Sequence, residues 1–139
     1  GLISGIALYT KGVTRWSKVI GVEPENFQRY TKSLKEGRPT NIKKGETIAD
    51  GLMSITPSAN AFEVIRDLVD DLVTCQDKFI KKALDLLYNK EKLIVEPSAA
   101  IGLGAILEGK IKYDNRDKLV LIITAGNIDG STIENIINS

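Results

Sequence analysis

Apolar positions in this chain follow two patterns that alternate along its length. Some form short unbroken runs: Val19-Ile20-Gly21-Val22, Leu93-Ile94-Val95 and Leu119 to Ile123. Others recur at helical spacing, as Phe62, Ile65, Leu68 and Val69 do, and again Ile80, Ala83, Leu84 and Leu87. Unbroken runs suit strands covered on both faces; the wider spacing suits helices covered on one. Strands are therefore expected at 17–22, stopping at Glu23, and at 118–123. The segment Asp71-Leu72-Val73-Thr74-Cys75 predicts another short strand.

Helices fill the intervals. The first starts near Leu2, directly after Gly1, and runs to Lys11. Pro24 suits a first helical position, because its φ is fixed and it has no N–H to satisfy, so a helix is expected over 25–34. Gly37 and Pro39 then end it. A helical period returns at Ala61. The clearest amphipathic helix spans Asp77 to Asn89, with Lys78, Lys81, Lys82 and Asp85 on its outer face. A small-residue helix follows over Ser98 to Leu107, stopped by Gly109, and a short one closes the chain from Ser131 to Ile137. Between them, residues 41–59 form a long irregular stretch, and loops of that length in a compact domain usually carry function or are disordered. The alternation reads as α/β: a parallel sheet with helices on both faces, in three layers, within one domain.

Composition narrows the chemistry. The chain has 139 residues, 42% of them hydrophobic, which is enough for a real core. Nineteen basic against eighteen acidic residues leave a net charge of +1, so there is no basic field to attract nucleic acid. There is no histidine, which removes the commonest general base and metal ligand. The single cysteine, Cys75, allows no internal disulfide and suits a reducing compartment, so a cytoplasmic location is the expectation. Cys75 itself reads as a small core residue. The acids Asp67, Asp70 and Asp71, and the pair Lys43-Lys44, read as solvated faces. No apolar run approaches the roughly 20 residues that span a bilayer, so no membrane partner is expected.

In a parallel sheet, ligands bind outside the carboxyl ends of the strands. That rule selects Glu23, Glu96 and Thr124, each placed where an apolar run ends. The last run breaks into Thr124-Ala125-Gly126-Asn127, a hydroxyl followed by two very small residues and an amide, which leaves room beside the backbone for something other than side chains.

The motifs GLISGIA at 1–7, VIGVEPEN at 19–26, ETIADG at 46–51, IRDLVDDLV at 65–73, LIVEPSAA at 93–100 and AGNID at 125–129 resemble, in order and spacing, the threonine dehydratase and serine racemase family. These are pyridoxal-phosphate enzymes of the tryptophan-synthase-β-like fold, fold type II. The resemblance covers nearly the whole chain. It implies that 1–139 is the C-terminal portion of the large cofactor domain, and that the Schiff-base lysine lies upstream, leaving no catalytic residue in this chain.

The resemblance also assigns roles. Gly1 and Leu2 match the loop and helix N-terminus that cradle the cofactor phosphate, where unpaired N–H groups and the positive dipole end suit an anion. Thr124 matches the hydroxyl that hydrogen-bonds the pyridine nitrogen. A hydroxyl does not hold that nitrogen protonated as a carboxylate would, which favours prompt loss of a β-leaving group. Asp50 and Gly51 match a loop near the ring, although an Asp-Gly pair also makes an ordinary turn. Glu96 matches a carboxylate near the cofactor, and its position before Pro97 equally fits a helix N-terminal acid. Glu23 and the Phe27 carbonyl match part of a divalent-cation site whose last acid is Arg29 here. A cation there is disfavoured, and a Glu23–Arg29 ion pair is the alternative.

The activity implied is conversion of L-threonine, or L-serine, to a 2-oxo acid and ammonia, in a homodimeric or homotetrameric parent. A serine or aspartate racemase, or a hydroxyaspartate ammonia-lyase, is the second reading. A non-catalytic ligand-binding or assembly module is the third.

Overall fold

Two parallel strands hold the centre of the computed structural model, which describes residues 1–139. Strand β1, Ile20–Pro24, pairs with β2, Asp71–Cys75, in a register that sets Ile20 opposite Asp71 and Pro24 opposite Cys75. Helix α1, Leu2–Val13, precedes β1. Helix α2, Arg29–Glu36, a 3-10 turn at Asp50–Leu52 and helix α3, Ala59–Leu68, lie between the strands. After β2 come α4, Asp77–Asp85, continued by a π-helical turn at Leu86–Lys90, then α5, Pro97–Leu107, and α6, Gly130–Asn138.

Alternation along the strands distributes the helices. Val22 and Val73 pack against a core built from Ile80, Ala83 and Leu84 of α4 and Ala100, Ile101 and Ala105 of α5. Gly21 turns the other way. A Cβ there would fall 2.8 Å from Ile3 Cδ1 of α1 and 2.3 Å from Leu72 Cδ2, so a larger residue would force those two side-chain ends to move. Glu23 points to the same side and meets the start of α2. Helices thus cover both faces, and the α/β reading holds.

The small residues of α5 have a packing purpose. Gly104 lies so close to α4 that a Cβ would stand 3.1 Å from both Phe79 O and Ile80 N, and 2.9 Å from Cys75 Sγ. The backbone of α5 therefore seats directly on the α4 N-terminus and the end of β2. Cys75 is fully buried there, as expected of a small core residue. Burial, with the nearby Glu108 carboxylate adding to it, pushes its thiol up to about 12.

Three expectations are corrected. Pro24 ends β1 instead of starting a helix, and α2 begins only at Arg29. Residues 25–28 form a turn in which Phe27 N–H donates to Pro24 C=O, and Phe27 is fully buried. The residues at 118–123 are not a strand, and their side chains are exposed, Val120 at 80%. An apolar run becomes a strand only when a neighbour supplies the ladder. Here the nearest backbone link is a single bond, from Glu96 N–H to Ala125 C=O at 2.9 Å. Asp70, finally, is not a free solvated acid. It accepts from Lys11 Nζ at 2.6 Å and Val19 N–H at 2.7 Å, tying the end of α1 to the turn before β2, and these bonds hold its carboxyl below the usual range.

No helix is long and apolar enough to cross a membrane.

Candidate active site

The N-terminus of α5 organises a surface cleft of ≈ 820 Å³. Glu96 is the N-cap, with φ −73° and ψ 153°. That extended conformation is what the following proline demands, and Pro97 takes the first helical position. The backbone of Glu96 closes the first turn by accepting from Ala99 N–H. Its side chain is not spent on capping its own helix. It reaches across to accept Asn127 N–H at 3.0 Å through Oε1, while its own N–H donates to Ala125 C=O. Glu96 therefore joins α5 to the 125–127 segment by both backbone and carboxylate. Gly126 is the residue this junction requires, since a Cβ there would meet Ile94 O at 2.8 Å.

The far wall starts with Asp129, the N-cap of α6. Its carboxylate accepts from the Ser131 hydroxyl, from Thr132 N–H at 2.8 Å and from the Thr132 hydroxyl at 2.9 Å. These bonds, the Ser131 hydroxyl first, hold its carboxyl down at about 2. Ile48 and Asp50 bring the long loop to the same opening. Asp50 Oδ1 accepts the N–H of the next residue, Gly51, at 2.8 Å. Gly51 backs onto α5, where a Cβ would stand 2.9 Å from Ser98 Oγ. That Ser98 hydroxyl is buried and has no hydrogen-bond partner.

Of the residues singled out from sequence, the cleft gathers Asp50 and Glu96. Gly51 lies just behind its wall. Thr124 is exposed on the extended segment two residues before Gly126, outside the lining. Gly1 and Leu2 are exposed at the N-terminus of α1, on the opposite face of the sheet from α5. No side chain caps that helix end, no acid stands in its first turn, and a Cβ on Gly1 would meet nothing within 4 Å. Its N–H groups thus face open space with the favourable dipole sign for an anion.

Glu23 is placed differently from expectation. It is 7% exposed, and its two oxygens accept Tyr30 N–H and Thr31 N–H, each at 2.9 Å, and the Thr31 hydroxyl at 2.8 Å. The carboxylate from β1 thereby caps α2, whose own N-cap residue Gln28 supplies no side-chain cap. Arg29 does not pair with it. Its Nη1 donates to Leu52 C=O at 3.1 Å and Ser54 C=O at 2.8 Å. The ion-pair alternative is thus replaced by two separate jobs.

Asn127, Asp129 and Thr132 carry no role legible from sequence, although Asn127 and Asp129 belong to the AGNID motif. The available signal for Asp129 was an Asp followed by Gly, Ser and Thr before an apolar helix, a plain N-cap pattern. Nothing in the sequence marked Ser98, whose significance comes only from burial.

A family model described as pyridoxal-phosphate dependent enzyme matches residues 1–125. The chain is 35% identical over 139 residues to the L-threonine ammonia-lyase of Thermotoga maritima, covering 99% of this chain and 34% of that protein. It is 35% identical over 133 residues to the serine racemase of Oryza sativa subsp. indica, covering 93% of this chain and 39% of that protein. Its structure is similar to that of maize serine racemase, with a TM-score of 0.86 and 33% identity, over 99% of this chain and 43% of the other. The chain thus spans well under half the length of the relatives it matches.

Proposed function

Because the chain belongs to the pyridoxal-phosphate-dependent enzyme family, we propose that residues 1–139 form the C-terminal part of the large domain of a lyase that converts L-threonine to 2-oxobutanoate and ammonia. Pyridoxal phosphate, when bound, supplies an electron sink for the carbanion left at the substrate's α-carbon. The remaining work falls to groups on the protein.

The residues present suit that group. The uncapped N-terminus of α1 offers N–H donors and a positive dipole end, so Gly1 and Leu2 would hold the phosphate. The exposed Thr124 hydroxyl would hydrogen-bond the ring nitrogen without donating a full proton. Asp50, Gly51 and Glu96 would border the ring.

Restricted protonation at the ring nitrogen favours rapid departure of the β-hydroxyl over processes that need a long-lived carbanion. This is the argument for elimination over racemisation. The observation that carries the reading is the joining of Glu96 to Asn127 across the cleft, which brings the EPSAA and AGNID motifs to one opening. The rice and maize relatives, named as serine racemases, keep racemisation as the second reading.

Product analysis separates the two. The full-length gene product that carries these residues, supplied with pyridoxal phosphate, is expected to release a 2-oxo acid from L-threonine, read by dinitrophenylhydrazine. Accumulation of a D-amino acid from L-serine with no 2-oxo acid from either substrate would replace the lyase by a racemase. Neither product, with the protein folded, would favour a non-catalytic binding module.

A further inference from the structure

The loop that carries Asp50 and Gly51 has no regular structure beyond one 3-10 turn, yet it forms a wall of the cleft. Two charged side chains from different elements hold it. On the upstream side, Asp77 in the first turn of α4 accepts the Thr47 hydroxyl at 2.6 Å and Ile48 N–H at 2.9 Å. The Thr47 oxygen in turn accepts Ala49 N–H at 3.2 Å. On the downstream side, Arg29 in the first turn of α2 donates to the carbonyls of Leu52 and Ser54. Between the clamps, Ala49 is fully buried and Gly51 abuts Ser98.

We propose that Arg29 and Asp77 are positioning residues of the cofactor cleft: they clamp residues 47–54 from both ends so that Ile48 and Asp50 present a fixed wall. This rests on the reading of the cleft as a cofactor site. Each clamp uses charge where charge is most effective. Asp77 sits at a helix N-terminus, where the dipole favours an anion that still has oxygens free for the loop. Arg29 sits at a helix start, where the dipole disfavours a cation, and its Nε–H is buried without a partner. Neither feature recommends arginine for the stability of α2. The two carbonyl bonds are its gain: Nη1 alone carries two N–H donors and makes both. The clamp is also anchored to the sheet. Glu23 of β1 holds the N–H groups of Tyr30 and Thr31, the residues that follow Arg29, and the Tyr30 hydroxyl accepts Ser58 N–H at 3.3 Å farther along the loop. A continuous line of hydrogen bonds thus runs from the end of β1, through the start of α2, to the cleft loop.

The test uses the full-length gene product with Arg29→Met, Arg29→Lys and Asp77→Asn. Amide hydrogen exchange is measured first without cofactor. Arg29→Met is expected to speed exchange in residues 50–54 by about tenfold or more while α4 and α5 stay protected, and Arg29→Lys to do so less. In the cofactor-loaded protein, the same variants are expected to raise KM for the amino acid more than they lower kcat, and to shift the absorbance band of the bound cofactor. Unchanged exchange in 50–54 for Arg29→Met overturns the clamp. Faster exchange with an unshifted band and an unchanged KM overturns the positioning role. Failure of the unaltered protein to bind pyridoxal phosphate would instead overturn the proposed function, and is detected before any variant is made.

Discussion

Individual residues here owe their properties to a few short contacts. Cys75 is buried between β2, α4 and α5, with its thiol raised to about 12. It is therefore neither nucleophile nor redox sensor in the folded chain. Thiol titration with a disulfide reagent at pH 8 is expected to find it unreactive until denaturant is added. Fast labelling in the native protein would contradict the packing. Asp129 differs in being exposed. With its carboxyl lowered to about 2 by the Ser131 and Thr132 donors, its capping contribution is in place above the ordinary carboxylate range and fades as pH falls through about 2. The Thr132 amide shift, followed by nuclear magnetic resonance, should titrate near that value. A midpoint near 4 would mean the cap is not formed.

At the scale of elements, the most instructive case is α2. Its start was misplaced from sequence because Pro24 is equally suited to a strand's last residue and a helix's first. Tertiary context decided between them: Pro24 sits opposite Cys75 in the ladder, and the cap of α2 arrives from Glu23, six residues before the helix begins. A cap borrowed from a neighbouring strand leaves no local signature. Glu23→Ala leaves two half-buried N–H groups without their partner, so a loss of about 1–2 kcal/mol in chemical denaturation is expected. A loss below about 0.5 kcal/mol would show that water replaces the carboxylate freely. By contrast α4 and α5 were readable almost to the residue. Their period, caps and buried faces agree with each other, and Pro97 and Gly109 mark the limits of α5 in the usual way.

Across the whole molecule, the feature that sequence and structure treat differently is the segment 119–123. Its composition describes a buried strand, and the residues are exposed. The run can be apolar and still lie outside, because burial needs a partner surface that composition does not specify. Such a flat apolar segment with free backbone groups is a template for edge pairing. This chain expressed alone is expected to self-associate, and Val120→Lys to return it toward a monomer in size-exclusion chromatography. Equal elution of both proteins would remove the segment as the cause. The candidate site shows the same division. Glu96, Asp50 and the 125–129 motif were legible as residues, but their meeting at one cleft, and the clamps behind it, depend on contacts between elements far apart in sequence.

In the proposed function, this cleft and the α1 N-terminus belong to one pyridoxal-phosphate site. A crystal structure of the full-length gene product grown with pyridoxal phosphate tests this. Phosphate density is expected at the N–H groups of Gly1 and Leu2, with the ring nitrogen within hydrogen-bond reach of the Thr124 hydroxyl. Cofactor bound elsewhere, or a ring nitrogen paired with a carboxylate, would contradict it.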